Sequence, residues 1–129
     1  MKPINILLLI LGLFVSARVQ AQVNDCKRFR TGTFKMTYYG KPTIIVRTET
    51  KQQQFFDGQK TPVEFTVKWL NDCTFTLTLI KGQFDKVKAI PPNATLTMQI
   101  VKTSKNSYTQ VTTANFTGQS ITGEIFKVK

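Results

Sequence analysis

The chain has 129 residues, with 18 lysines and arginines, 7 aspartates and glutamates and no histidine, for a formal net charge of +11. The absence of histidine excludes a histidine general base, a histidine-ligated metal and a Ser-His-Asp triad. Two cysteines are too few for a four-cysteine zinc site, and the length suits one domain rather than two.

Met1-Lys2, the apolar stretch from Ile4 to Val15 and the small-residue close Val19-Gln20-Ala21 follow the order of a secretory signal. The apolar run, about 12 residues, falls short of the roughly 20 needed to cross a bilayer. Residues 1–21 are therefore expected to be a removable signal, and 22–129 a single β domain starting near Gln22. Removing Lys2 and Arg18 with the signal leaves 108 residues carrying +9. The expected location is periplasmic or secreted. In an exported chain Cys26 and Cys73 are expected to pair; the alternative is two buried thiols. Closing so long a loop contributes roughly 4 kcal/mol in the chain-entropy account.

Residues 22–31 are polar and basic. From Gly32 the pattern has period two, with Phe34, Met36 and Tyr38 against Lys35, Thr37 and Tyr39, the spacing of a strand. Gly40-Lys41-Pro42 breaks it. Thr43 to Lys51 is predicted as one strand, with Ile44, Val46, Thr48 and Thr50 on one side and Ile45, Arg47, Glu49 and Lys51 on the other. Gln52 to Phe56 extends it, up to the turn signal Asp57-Gly58. Val63, Phe65, Val67 and Trp69 then alternate with Glu64, Thr66, Lys68 and Leu70. After Asn71-Asp72, Phe75, Leu77 and Leu79 oppose Thr74, Thr76 and Thr78. Residues 62–81 thus form a predicted hairpin with Cys73 at its corner.

Residues 83–93 are less regular: a short helical turn or an irregular strand over 84–89, then a Pro91-Pro92-Asn93 loop. Three more strands follow, from Thr95 to Lys102, from Tyr108 to Phe116 and from Ile121 to Lys129, with turns at 104–107 and 118–120. The total is about seven strands. With 19 threonines in residues 22–129 the outer faces stay polar while keeping β-branched stiffness. Short links between sequential strands predict an all-β antiparallel meander, closing as a small barrel or folding over as a sandwich.

Gly32-Thr33-Phe34 at the head of the first strand resembles the Gly-x-Trp start of lipocalin-like barrels, with phenylalanine in place of tryptophan. That resemblance implies a basic residue on the last strand packed on the aromatic ring, a role only Lys127 is placed to fill. A second resemblance covers most of the chain beyond the signal. Cys26, Phe29, Gly32 and Phe34 in a Cys-x-x-Phe-x-x-Gly-x-Phe pattern, Ile-Ile-Val-Arg at 44–47 and Val-Lys-Trp-Leu-Asn-Asp-Cys-Thr-Phe-Thr-Leu at 67–77 look like a group of uncharacterised small exported proteins of Bacteroidetes-type bacteria. Some of these carry a label borrowed from DNA topoisomerase IV. The present chain is too short for that activity and lacks its ATP-binding and cleavage apparatus. The resemblance implies export and a disulfide, and supplies no catalytic residue.

Chemistry-bearing groups are sparse. Glu49, Glu64, Asp72, Asp85 and Glu124 mostly lie on strands beside lysine or arginine and suit solvated ion pairs, Glu64 with Lys68 and Glu49 with Arg47 and Lys51. Ser104, Ser107 and Ser120 sit in turns with no histidine to activate them. No phosphate loop, calcium-loop spacing or cofactor motif occurs. Lys27, Arg28, Arg30 and Lys35 form the densest basic group, with Lys81, Lys86 and Lys88 in mid-chain. They make either a solvated surface or a patch for anionic lipid or glycan. Tyr38, Tyr39, Phe55 and Phe56 could stack nucleic-acid bases, but core packing accounts for them equally and an exported protein meets little nucleic acid. Neighbours in a strand face opposite ways, so one of Phe55-Phe56 is expected outside, or at the mouth of a barrel as a gate. The large inward residues Phe34, Phe65, Trp69, Phe75 and Met98 predict a mostly filled interior. The expectation is a monomeric, non-enzymatic protein holding a small apolar or amphipathic ligand, with Tyr38, Tyr39, Arg47, Phe55, Phe56, Lys68 and Trp69 as candidate contacts and no metal or cofactor. The alternatives are a basic protein docking on an anionic envelope surface and a hydrolase with paired carboxylates.

Overall fold

A computed structural model describes residues 25–38, 40–80, 91 and 94–129, with only the backbone of Tyr38. The signal segment, Tyr39, the irregular stretch at 83–93 except Pro91, and the mid-chain lysines Lys81, Lys86 and Lys88 lie outside the described residues. A short 3-10 helix, Cys26–Phe29, precedes eight strands: β1 (Gly32–Tyr38), β2 (Lys41–Arg47), β3 (Lys51–Phe56), β4 (Val63–Asn71), β5 (Thr74–Leu79), β6 (Thr95–Thr103), β7 (Ser107–Ala114) and β8 (Thr117–Lys127). Each pairs antiparallel with the next, and β8 returns to β1, closing a barrel. The all-β meander is as the alternation predicts, and closure settles the choice between barrel and sandwich.

The eighth strand comes from a turn inside the predicted 43–51 strand. The chain reverses over Thr48-Glu49-Thr50, held by the Thr48 N–H donating to the Lys51 carbonyl at 2.8 Å and by the Lys51 N–H donating to the Thr48 hydroxyl at 3.2 Å. A threonine hydroxyl stands in for backbone here, and neither Gly, Pro, Asn nor Asp marks the place, so a β-branched run conceals the reversal. The turn sets Arg47 opposite Gln52. The last hairpin also turns earlier than the sequence predicts. Its turn lies at Asn115-Phe116, where the Asn115 side chain accepts from the Thr95 N–H at 3.0 Å, and the segment 118–120 belongs to β8. By contrast Asp57 and Gly58, both at positive φ (22° and 74°), make the β3–β4 turn their sequence announces.

Alternate residues fill the interior. One cluster joins Cys26, Phe29, Phe34, Ile45, Ile100, Tyr108 and Ile125; the other joins Val63, Phe65, Val67, Phe75, Leu77, Leu79 and Met98, and Trp69 packs against both. The meander gives the barrel two unlike ends. The β2–β3, β4–β5 and β6–β7 turns share the end where β1 begins and the 3-10 helix sits. The β1–β2, β3–β4 and β7–β8 turns share the other.

Candidate functional site

The 3-10 helix plugs its end of the barrel, and ties from several strands converge on it. Cys26 is bonded to Cys73 in the β4–β5 turn, 47 positions further along the sequence. Cys26 is buried, and a buried disulfide fits an oxidising, extracytoplasmic environment. The Arg28 guanidinium donates to the carbonyls of Ser104 and Lys105 in the β6–β7 turn, each at 2.7 Å, and to Asp25. Lys127 of β8 donates to the Arg28 carbonyl at 2.7 Å. Phe29 packs its ring on Tyr108, centroids 5.2 Å apart.

Arg47, at the end of β2, completes the set from inside. It is 2% exposed. Its Nε donates to the Arg30 carbonyl at 3.1 Å and its Nη2 to the Phe29 carbonyl at 2.7 Å and the Tyr108 hydroxyl at 3.0 Å; Nη1 donates to Gln52 Oε1 at 3.0 Å. The solvated ion pair expected with Glu49 is not formed: among the described residues Arg47 has no carboxylate partner. Parity explains this, since Thr43, Ile45 and Arg47 form the inward row of β2. The charge is balanced by carbonyls at the end of the 3-10 helix and by aromatic faces, with Cζ 4.5 Å from the Phe34 ring centroid and 4.6 Å from that of Phe75. The cation over Phe34 is thus Arg47, not Lys127, although Lys127 stands opposite Phe34 in the β1–β8 register.

Above Arg47 the barrel holds a cavity of about 160 Å³. A polar row crosses its lower part: Arg47, Gln52 and Gln54 on one side, Tyr108, Gln110 and Thr112 on the β7 wall. Apolar side chains line the remainder, with Met36 and Ile45 beside β1 and β2, Phe65 and Phe75 on the β4–β5 side, and Phe56, Leu96, Met98 and Ile121 toward the unplugged end. The interior is therefore less filled than its aromatic content suggests. Gly123 leaves a gap in the wall, and beside it the barrel seam is thin. β1 and β8 pair only at Phe34–Lys127 and Lys35–Phe126, whereas β7 and β8 pair at eight positions.

A guanidinium can only donate, which fixes the sense of the polar row. Gln52 must turn its Oε1 to Arg47, and its Nε2 then donates to Gln54 Oε1 at 3.0 Å, leaving the Gln54 amide as a donor at the end. On the facing wall Gln110 Nε2 donates to the Thr112 hydroxyl at 3.4 Å.

Of the seven candidates from the sequence, Arg47 and Phe56 line the cavity. Phe55 faces outward opposite Ile44, and Lys68 is exposed on the outer face of β4. Trp69 is half-buried near the plugged end, its ring 4.5 Å from Phe75 and under the Arg30 guanidinium at 4.8 Å, outside the cavity wall. Its Nε1 has no hydrogen-bond partner among the described residues. Tyr38 ends β1 and its side chain, like Tyr39, lies outside the described residues. Glu64 meets Lys51 at 3.7 Å rather than Lys68. Sequence reasoning missed Gln52, Gln54, Tyr108 and Gln110. Parity marks Gln52 and Gln54, which share the inward face of β3 with Phe56; in β7 the inward row is Tyr108, Gln110, Thr112 and Ala114, where alternation gives little signal. Among the described residues no group of three or more His, Cys, Asp or Glu could hold a metal ion.

No protein-family model, no curated protein and no solved structure shows significant similarity to the chain.

Proposed function

We propose that this protein is a non-enzymatic container that holds one small amphipathic molecule inside its barrel, in the periplasm or outside the cell. The observation that carries this is the cavity of about 160 Å³, apolar along most of its wall and polar at the row that starts from Arg47. Eight-stranded barrels have room for side chains or for one small ligand. A cavity of about 150 Å³ accommodates a benzene-sized molecule, so the occupant is small. Arg47 and Tyr108 are the ionisable groups among the described lining residues. Among the described lining residues no carboxylate, thiol or lysine stands ready for proton transfer or covalent chemistry, which favours binding over catalysis.

Two of the four cations in the densest basic group on the sequence, Arg28 and Arg30, are tied to other parts of the protein, while Lys27 and Lys35 stay exposed, which leaves a smaller basic patch for anionic lipid or glycan. Arg28 is spent on turn carbonyls and Arg30 on the Trp69 ring. Lys27 stands 3.9 Å from Asp72.

The two methionines beyond the signal, Met36 and Met98, both line the cavity. Their methyl groups are built-in reporters. Carbon-13-labelled methionine methyls are followed by NMR as the protein is titrated with hexanol and hexanoate. Movement of both methyl signals with saturation is expected. Two static methyl signals through millimolar additions of both compounds would overturn the container reading.

A further inference from the structure

We infer that the polar end of the occupant is a carboxylate, held at Arg47, Tyr108 and Gln54, and that the occupant is a monocarboxylic acid with about six carbons or a single ring. The inference rests on the container reading and deepens it. The cavity's polar row holds more open hydrogen-bond donors than acceptors. Arg47 has five N–H groups and uses four of them, leaving one on Nη1. The Tyr108 hydroxyl accepts from Arg47, so its own proton is still to be donated. The Gln54 amide ends the Arg47–Gln52–Gln54 relay with its N–H groups unclaimed among the described residues. Against these three donors the open amide acceptor is Gln110 Oε1.

The row thus has a surplus of donors, and it carries a positive charge with no carboxylate partner among the described residues. A buried guanidinium without a counter-ion is costly in a low-dielectric interior. A carboxylate supplies what the row lacks: one negative charge and acceptor lone pairs with no donor of its own. An alcohol brings a donor as well as an acceptor and no charge. An ammonium brings only donors and a repelling charge. The rest of the molecule meets Met36, Phe65, Met98 and Ile121, which accept a hydrocarbon chain or ring. The cavity volume of about 160 Å³ sets the length.

The test compares hexanoate, hexanol and hexylamine, identical in chain length, by the methionine methyl titration. Hexanoate should bind at least tenfold more tightly than hexanol, and hexylamine should leave the signals in place. Hexanoate affinity should hold above about pH 5 and fall as the pH drops through the ordinary carboxyl range, because only the ionised acid matches the donors. Gln54→Leu, which leaves the four Arg47 bonds in place, should cut the preference for hexanoate over hexanol severalfold. Equal affinities for hexanoate and hexanol, or a preference that Gln54→Leu leaves untouched, overturn the carboxylate assignment while the container reading survives. No response to any of the three compounds overturns both.

Discussion

The two ends of this barrel are built on opposite principles. At the plugged end a four-residue helix is held by a disulfide, by three cations donating to carbonyls and by the tilted contact of Phe29 with the Tyr108 ring, which meets Phe34 of β1 edge-on. At the other end Ile121 and Phe116 are exposed, the β1–β8 seam lacks pairing above Lys35–Phe126, and the cavity lies beneath. The contrast shows how a domain of this size keeps an interior space. Empty volume forfeits packing energy, and the loss is offset by concentrating cross-links where no space is needed.

The largest effect expected from breaking the contrast is loss of the disulfide. Cys26→Ser with Cys73→Ser should cost roughly 4 kcal/mol, on the order of 20 °C in Tm for a domain near 100 residues. The sole tryptophan, Trp69, packs against the cluster that holds Cys26 and reports the change by fluorescence. An unchanged melt in reductant would mean that the plug is held by its cations alone.

Arg47 comes second because it belongs to both ends. Arg47→Met keeps much of the side-chain volume but strips donors from the Phe29 and Arg30 carbonyls and from Gln52 Oε1. Two to three buried acceptors then lose their partner, costing about 3 kcal/mol. Arg47→Lys restores the charge without the planar fork and should recover only part of it. Denaturant unfolding measures both, and protease cleavage near residue 30 should rise in the methionine variant first. Equal stability of wild type and Arg47→Met would show that the guanidinium does not hold the plug.

Gly32→Ala probes the place where β1 leaves the plug. Gly32 has φ of +139°, and an added Cβ would come within 2.8 Å of the Lys129 carbonyl and 3.0 Å of the Lys127 side chain. Backbone strain plus displacement of Lys127 from the Arg28 carbonyl should cost about 2 kcal/mol. A loss below 0.5 kcal/mol, roughly that of an ordinary surface change, would show that the β1–β8 seam yields easily even at its paired end.

Sequence made the strands legible far better than the site. Alternation in 63–67 and 74–79 names the buried residues of β4 and β5 correctly because one face is apolar and the other polar, while Trp69 at the end of the β4 run is only half-buried. The same rule fails at β2–β3. There the inward positions carry Thr43, Arg47 and Gln52, all buried, so polarity no longer marks the outside. The turn at 48–50 contains no residue that favours turns by itself, and its hydroxyl cap becomes visible only when Lys51 is placed. Arg47 beside Glu49 suggests a surface ion pair until the reversal turns it inward. Local chemistry therefore predicts the frame, whereas the site depends on pairing between segments that the sequence does not mark.

The smallest effect has the opposite sign, and it separates stability from binding at the unplugged end. Gly123 lines the cavity, and an added Cβ there meets nothing within 4 Å. Its φ is not among the positive values, so a β-branched residue fits the strand without strain. Gly123→Val should raise stability by about 0.5–1 kcal/mol, since glycine weakens a strand interior and valine favours it. It should also fill part of the space and weaken hexanoate binding in the methionine methyl titration. A variant more stable than wild type and poorer at binding would show that the space is kept at the expense of stability. A stabilised variant that binds hexanoate as well as the wild type would place the ligand elsewhere, and a destabilised one would mean that the wall at Gly123 needs its gap for folding.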